Sequence, residues 1–178
     1  MLYYSKFPLI ILFAFILLSC GITKTSIVKN STDEGSNPLL GSWKMQEIHW
    51  KTKDTTYSIM NAEPGMFFFT KNSYAIMWTP TRKLRTPFIN LSKPTDEECI
   101  AGFKSVVFNS GSYTFTDSTV NATAYIAKVP GFEGGQQFYT YKIVNDILHL
   151  TMFDETYPNG DKPDWSGKYV TEFVLKKE

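Results

Sequence analysis

Two histidines and a nearby glutamate are the residues of this 178-residue chain best suited to chemistry. His49 follows Glu47 by two positions in the alternating run WKMQEIHW, and His149 lies in ILHL. Alternate side chains of a strand share a face, so Glu47 and His49 would share one with Trp43 and Met45. If these residues and His149 line the inside of a closed sheet, they could orient a ligand or move a proton. The alternative is that each His is a surface or hydrogen-bonded strand residue.

Motifs of the well-known catalytic and metal sites do not occur in the sequence. It has no G-x-S-x-G, C-x-x-C or H-E-x-x-H motif and no Gly-rich phosphate loop. Asp154, Asp161 and Asp164 do not have calcium-loop spacing, and no bidentate Glu follows them. Two histidines alone do not make a metal or haem ligand set. We therefore predict no catalytic residue, no metal and no cofactor; the sequence argues against an enzyme without excluding one.

The stretch from Asn109 to Met152 predicts an antiparallel β-meander. Its short runs are rich in Thr, Tyr, Val, Ile and Phe, and turn pairs such as Pro130-Gly131 and Asn145-Asp146 divide them. The two-residue break in KIV-ND-ILHL is typical of a hairpin. We predict strands at 111–116, 119–127, 136–145 and 147–153, and a closing strand at 169–177.

One helix interrupts the predicted strands. Thr95 and Glu98 form a capping box after Pro94, and apolar residues recur at helical spacing up to Val107, which predicts a helix over 95–109. Cys99 lies beside that apolar stripe, and we predict that it is a buried small hydrophobic residue.

The loop before this helix carries a basic cluster. Thr79 to Lys93 is rich in Pro and contains Arg82, Lys83 and Arg85. We predict a solvated loop, and the alternative is that it contacts an anionic ligand at one end of the sheet.

The complete pattern predicts an all-β fold. About eight or nine short strands favour an up-and-down antiparallel β-barrel, since closure removes exposed strand edges, with the helix packed on the barrel or capping it. Aromatic residues make up 16% of the chain and recur within the strands, which predicts an aromatic-lined interior. The candidate ligand-binding residues on these strands are Trp43, Met45, Glu47, His49, Tyr74, Trp78, Tyr113, Phe115, Tyr139 and Tyr141.

The N-terminal segment resembles a bacterial lipoprotein signal. Its apolar run from Pro8 to Leu18 is shorter than the ~20 residues that span a bilayer. Leu17-Leu18-Ser19-Cys20 resembles a lipobox, after which Cys20 would be acylated; the alternative is an ordinary signal peptide. We predict a signal peptide at 1–19, acylated Cys20 and a flexible tether through 38, and one domain at 39–178. Gly21 is not the Asp that retains lipoproteins in the inner membrane, so the expected location is the outer membrane of a Gram-negative cell envelope.

Charge and cysteine content exclude several partners. Without the signal peptide the chain has 17 basic and 17 acidic residues, which gives no basic surplus for nucleic acid. Acylation of Cys20 would leave Cys99 without a disulfide partner. We expect a monomer that contacts the membrane through Cys20.

The chain resembles the lipocalin-like domain lipoproteins of bacteria. The resemblance rests on LLGSW, AGFKSVVFNSGSYTF, AYIAKVPGF and YKIVNDILHLTMF, which fall in order across most of residues 39–176. It implies an up-and-down barrel with a helix packed on it or closing one end. Such barrels commonly place an Arg of the last strand over the Trp of G-x-W. The last strand here reads EFVLKK, so Lys176 or Lys177 would make that contact, or it would be absent.

Three functions remain open at this point. Aromatic alternation favours a membrane-anchored lipocalin-like module that binds a small apolar ligand in its barrel. The second is a scaffold with a packed core that binds a protein or glycan through loops 79–93 and 154–168. The third is an enzyme that uses His49, Glu47 or His149.

Overall fold

The computed structural model describes residues 37–81 and 83–178, and it consists mainly of strands. In chain order the elements are β1 (Gly41–Lys51), β2 (Thr56–Met60), β3 (Gly65–Phe69), β4 (Ser73–Trp78), α1 (Asp96–Lys104), β5 (Val107–Phe115), β6 (Thr119–Ala127), β7 (Gln136–Val144), β8 (Ile147–Thr156) and β9 (Val170–Lys177).

The strands form a closed antiparallel barrel. From β3 to β9 each strand pairs with the next, and β9 and β3 both pair with β1. These eight strands close the barrel, while β2 pairs along the rest of one edge of β1 as an additional strand. The predicted up-and-down barrel is therefore confirmed.

The two ends of the barrel differ in their connections. At one end lie three long connections, which we call the long-loop end: 79–106, 128–135 and 157–169. At the other end, the short-turn end, the connections are 70–72, 116–118 and 145–146. Positive φ at Asn145 and Asp146 matches the predicted hairpin turn.

Large side chains pack inside the barrel. Small eight-stranded barrels have interiors just wide enough for their own side chains or for one small ligand. Here every strand contributes inward-pointing residues to one continuous buried cluster. Its largest fully buried members are Trp43, Phe67, Phe173, Leu39, Met45, Ile48, Leu148, Leu150, Leu175 and Val120.

A β-bulge in β1 reverses the alternation of that strand. The register with β9 shifts between Met45 and Glu47, so one extra residue lies between them. Ile48 is consequently the next buried residue after Met45. The prediction that Glu47 and His49 share the inner face of Trp43 is wrong, and both lie on the outer face.

Helix α1 is shorter than the predicted 95–109. Both bonds of the predicted capping box are present, but the helix ends at Lys104, because Val107 already pairs with Trp78 as the first residue of β5. None of its residues is buried. Cys99 is exposed, so the prediction of a buried residue is wrong: the apolar stripe of α1 does not pack into the barrel core.

The predictions for the N-terminal segment fall outside the described residues. These are the signal peptide at 1–19, acylation of Cys20 and all but the last two residues of the tether; Arg82 is also outside them. Asn37, which the prediction placed in the tether, is buried, and its Nδ2 donates to Tyr113 Oη at 2.7 Å. Within residues 37–81 and 83–178 no helix has the length and apolarity needed to cross a bilayer.

Candidate functional site

A cluster of polar side chains lies inside the barrel toward the long-loop end. Gln137 connects it: its Oε1 accepts from Tyr139 Oη at 2.8 Å and from Asn109 Nδ2 at 3.2 Å, and its Nε2 donates to Glu155 at 2.7 Å. Each of these residues occupies an inward position in the half of its strand nearest the long-loop end, on β5, β7 or β8. Tyr74 lies near the short-turn end of β4, but it is also buried, and its phenol interacts electrostatically with Glu155 and Tyr139. We call these five residues the interior polar cluster.

Two atoms of the interior polar cluster have no hydrogen-bond partner within the described chain. They are the hydroxyl oxygen of Tyr74 and Oδ1 of Asn109, both fully shielded from solvent. Burying a polar group without a partner costs about 1–3 kcal/mol, so such atoms are rare in folded proteins. The hydroxyl of Tyr74 can donate or accept a hydrogen bond, whereas Oδ1 of Asn109 can only accept one.

The surroundings of the interior polar cluster disfavour negative charge. Burial raises the pKa of Tyr74, and the charge of Glu155 adds to this effect. Burial likewise raises the pKa of Tyr139 and of Glu155, although the hydrogen bond from Gln137 opposes the shift at Glu155. Low solvation destabilises anions in general, so a neutral polar group suits this environment better than an anionic one.

Aromatic rings also pack against one another in the barrel interior. The ring of Phe173 lies 5.1 Å from that of Phe67 and 5.3 Å from that of Trp78. Trp78 in turn lies 6.2 Å from Trp50, which packs against the core from β1. Rings in this range attract each other edge-on or at a tilt. The interior therefore combines an apolar wall with a few polar atoms.

Trp43, near the start of β1, makes two further contacts. Trp43 is fully buried, and its Nε1 donates to the carbonyl oxygen of Leu39 at 2.7 Å. Lys177 of the last strand lies over this ring with Nζ 5.2 Å from its centroid. Of the alternatives left open by the sequence, Lys177 makes the contact with the G-x-W tryptophan.

The family model described as a lipocalin-like domain matches residues 40–173, which is most of the described barrel. The chain belongs to the lipocalin-like domain family. Among curated proteins, none matches this chain. The lipocalin-like fold suggests a ligand-binding module, since barrels of this kind hold small ligands in their interior.

Eight of the ten predicted ligand-binding residues lie inside the lipocalin-like barrel. All eight are buried: Trp43, Met45, Tyr74, Trp78, Tyr113, Phe115, Tyr139 and Tyr141. Two of the tyrosines bond the chain at the short-turn end, where Tyr113 donates to Thr70 O and Tyr141 to Thr116 O. Only Tyr74 and Tyr139 belong to the interior polar cluster. Ligand binding by these residues stays a prediction.

The other two predicted residues, Glu47 and His49, bond each other on the outer face of the barrel. His49 Nε2 lies 3.0 Å from Glu47 Oε2, and its Nδ1 lies 2.8 Å from Ser58 Oγ on β2. His149 is also on the outer face, where it bonds Glu172 at 3.2 Å. The hypothesis that these histidines line the lumen is therefore wrong. Among the residues that the structure describes, no group of three or more His, Cys, Asp or Glu could hold a metal ion.

Sequence reasoning missed three members of the interior polar cluster: Asn109, Gln137 and Glu155. Alternation with Tyr139 along β7 identifies Gln137 as inward-facing, and alternation with Tyr113 along β5 does the same for Asn109. Glu155 lies beyond the register shift in the pairing of β7 with β8, where alternation no longer applies.

The predicted interaction loops differ in exposure. In loop 154–168, Trp165 is only half exposed and its ring stacks on Tyr169 at 5.5 Å. Trp165 therefore does not form an exposed aromatic patch through which this loop could bind a partner, as the scaffold hypothesis would require. In loop 79–93, by contrast, Leu84, Ile89 and Leu91 are strongly exposed.

The stability of this lipocalin-like domain is expected to depend on pH through Glu155. Because burial raises the pKa of Glu155 above 4.5, its contribution to stability is complete below that value and is lost as pH rises through the folded-state pKa. The Glu155→Gln variant should therefore become more stable than the native chain as pH increases from about 5 to about 8. Urea unfolding across this range measures the difference.

Glu172 provides the matched control, because its pKa is lowered whereas that of Glu155 is raised. Burial alone would raise its pKa, but hydrogen bonds from Lys51 and His149 and their charges outweigh burial and lower it. The contribution of Glu172 to stability is present above the ordinary pKa of a glutamate and is lost as pH falls through its lowered folded-state pKa. Glu172→Gln should therefore be less stable than the native chain at neutral pH, with a deficit that shrinks in acid. The same pH trend in both variants would contradict these assignments.

Proposed function

We propose that this chain is a monomeric, membrane-anchored lipocalin-like module that binds one small, largely apolar ligand at the long-loop end of its barrel. The observation that carries the proposal is the pair of buried atoms that have no hydrogen-bond partner among the described residues, Tyr74 Oη and Asn109 Oδ1. A packed protein core gains nothing from two such atoms. A binding site gains specificity from them, because a ligand that satisfies both is favoured over one that satisfies neither.

The chemistry of the cluster defines the class of ligand. Tyr74 Oη donates and Asn109 Oδ1 accepts, so the ligand presents an acceptor and a donor, as an amide or an alcohol does. The raised pKa of Glu155 argues for a neutral group at this position. The rest of the ligand is apolar, to match the rings of Trp78 and Phe173. Because the interior is already well filled, the ligand is small.

The ligand enters from the long-loop end. At the short-turn end the tyrosine hydroxyls are satisfied by the chain itself: Tyr113 bonds Thr70 O and Asn37, and Tyr141 bonds Thr116 O. At the long-loop end the cluster continues toward the surface through Glu155. Burial is the main cause that raises the pKa of Tyr169, and the charge of Glu155 is the second. Glu155 is therefore close to Tyr169, which is only partly buried.

Anchoring is the part of the proposal that rests on the sequence alone. The lipobox-like LLSC supports cleavage before Cys20 and acylation of its thiol and amine, and two or more acyl chains hold a protein stably on a membrane. Gly21 supports the outer membrane of a Gram-negative envelope. Intact-mass measurement of the envelope-purified protein tests this: it should give a chain that starts at Cys20 and carries acyl groups.

Replacing Tyr74 with Phe tests the binding site. The variant removes a buried hydroxyl that has no partner among residues 37–81 and 83–178, so the free energy of unfolding of the ligand-free protein should rise by about 1–3 kcal/mol. The same change should remove the bound mass that native mass spectrometry detects on the envelope-purified protein. A gain in stability together with a loss of binding is the signature of a polar atom kept for function.

Tyr113→Phe is the matched control for this experiment. The hydroxyl of Tyr113 has two partners, Asn37 and Thr70 O, so its removal should lower stability and leave the bound mass unchanged. If Tyr74→Phe destabilises the protein as Tyr113→Phe does, or if neither the native chain nor any variant carries a ligand, the proposed site is wrong.

A further inference from the structure

A groove lies outside the barrel, between α1 and the loop that precedes it. It has a volume of about 450 Å³, within the range of roughly 300–1,000 Å³ that is usual for small-molecule sites. All of its lining residues belong to the connection between β4 and β5, and none belongs to a strand: Thr81, Lys83, Leu84, Arg85, Thr86, Pro87, Phe88, Leu91, Ala101, Gly102, Lys104 and Ser105. The groove is therefore separate from the interior polar cluster.

Close contact between the loop and α1 forms the base of the groove. The ring of Phe88 packs so closely on Gly102 that a Cβ added there would lie 2.9 Å from Phe88 Cζ. Glu98 also ties the two segments together, since its carboxylate accepts from the backbone N–H of Ile89 at 2.7 Å and of Thr95 at 2.9 Å. The groove is thus held by specific contacts within the connection.

The walls of the groove are apolar and exposed. Leu84 is 84% exposed and Leu91 is 80% exposed, although both are large aliphatic residues. Neither takes part in the core cluster of the barrel, and α1 has no buried residue. Exposed apolar residues that line one groove mark a binding site, whereas apolar residues scattered singly over a surface are normal.

The charged residues at the rim of the groove are all basic. Lys83, Arg85 and Lys104 line it, and no acidic residue is among the lining residues. Arg85 Nε donates to Ser105 Oγ at 2.9 Å, which holds the guanidinium at the rim while its other N–H groups remain as donors. A cationic rim around apolar walls is complementary to a molecule with an apolar chain and an anionic head.

We propose that this groove is a second binding site, for an amphipathic anion with a single apolar chain that is free in solution. The chain lies against Leu84, Phe88 and Leu91, and the anionic head binds Lys83, Arg85 and Lys104. This site is independent of the neutral ligand proposed for the barrel interior, because the two share no residue and differ in the charge that they favour.

Calorimetric titration of the full chain with monomeric dodecanoate tests the proposal. One dodecanoate should bind per chain, and the double variant Lys83→Glu/Lys104→Glu should weaken binding at least about tenfold, because it replaces two attractions with two repulsions. The double variant Lys142→Glu/Lys176→Glu changes net charge equally on exposed strand positions and should leave the affinity within about twofold. Dodecyltrimethylammonium, which has the same chain and the opposite charge, should not bind.

Two further variants separate this groove from the barrel interior. Ala101→Trp places a large ring in the groove from exposed α1 and should abolish dodecanoate binding with little change in stability. Tyr74→Phe alters the interior cluster and should leave dodecanoate binding unchanged. No binding by the native chain, equal losses in the two double variants, or loss of binding in Tyr74→Phe would each overturn the proposal.

Sedimentation with vesicles distinguishes the free amphiphile from a membrane surface. Phosphatidylglycerol vesicles present the same combination of apolar chain and anionic head within a bilayer. If Lys83 and Lys104 mediate vesicle binding while monomeric dodecanoate does not bind, a membrane surface takes the place of the free ligand and the proposal is wrong. Dodecanoate binding that requires both lysines, without vesicle binding, supports it.

Discussion

Replacing Phe173 with alanine is expected to lower the free energy of unfolding by about 3–5 kcal/mol. Phe173 is 1% exposed and its ring lies against those of Phe67 and Trp78. It belongs to β9, the strand that closes the barrel by pairing with both β8 and β1. Truncation removes the transfer free energy of the ring and leaves a cavity at the meeting point of three strands, which a closed barrel cannot easily collapse to fill.

Urea unfolding of Phe173→Ala beside Phe153→Ala measures this effect. Phe153 is a phenylalanine of the neighbouring strand β8 that is 42% exposed, so its truncation should cost about 1 kcal/mol or less. Equal losses in the two variants would mean that the interior around Phe173 is not packed as described. The difference between them therefore measures how much of the barrel stability comes from its filled interior.

The closed barrel could be predicted because its signals are local. Turn residues such as Asn145 and Asp146 adopt positive φ at the positions where the sequence requires a hairpin, and period-2 alternation holds along most strands. Up-and-down topology then follows because strands that are consecutive in the sequence pair with each other as antiparallel neighbours. What alternation cannot show is where a strand carries an extra residue. The bulge after Met45 depends on pairing with β9, far along the chain, and it moved Glu47 and His49 to the outer face.

Competition between local helical spacing and pairing with a distant strand also explains why α1 ends at Lys104 and not at the predicted residue 109. Val107 continues the apolar spacing of a helix, but as a β-branched residue it also suits a strand. In the fold it pairs with Trp78, and β5 begins there rather than at the predicted residue 111. Pairing of a whole strand outweighs one further turn of a helix whose apolar residues have no surface to pack against.

The candidate site could be predicted only in part for the same reason. Alternation correctly placed Tyr74 and Tyr113 inside, yet it cannot distinguish them. Tyr113 Oη finds Asn37 and Thr70 O at the short-turn end, whereas Tyr74 Oη has no partner within the described chain. Whether a buried hydroxyl is satisfied depends on residues distant in sequence, and this property is the one that separates structural tyrosines from a candidate binding residue.

Substituting Gly111 with alanine is expected to be the most disruptive single-methyl change in the barrel. A Cβ on Gly111 would lie 1.9 Å from the carbonyl oxygen of Thr123 and 2.8 Å from the backbone nitrogen of Tyr125, both on β6. Strand β6 cannot relieve these collisions by a change of rotamer, because the colliding atoms are backbone atoms. The register of β5 and β6 shifts next to Gly111. We expect a loss of about 3 kcal/mol or more in the free energy of unfolding, at the upper end of overpacking effects.

Thr114→Ala on the same strand is the control for Gly111→Ala. Thr114 is exposed on β5, so its truncation should change stability by about 0.5 kcal/mol or less. Soluble yield and urea unfolding measure both variants. Gly111 does not have positive φ, so strain of a left-handed backbone is not part of the expected loss, and steric collision with β6 is its entire cause. A Gly111→Ala variant as stable as the native chain would therefore mean that β5 and β6 can separate at the bulge. Asn109 lies two residues before Gly111 on the same inward face. Its position would then not be fixed by the contact between Gly111 and β6.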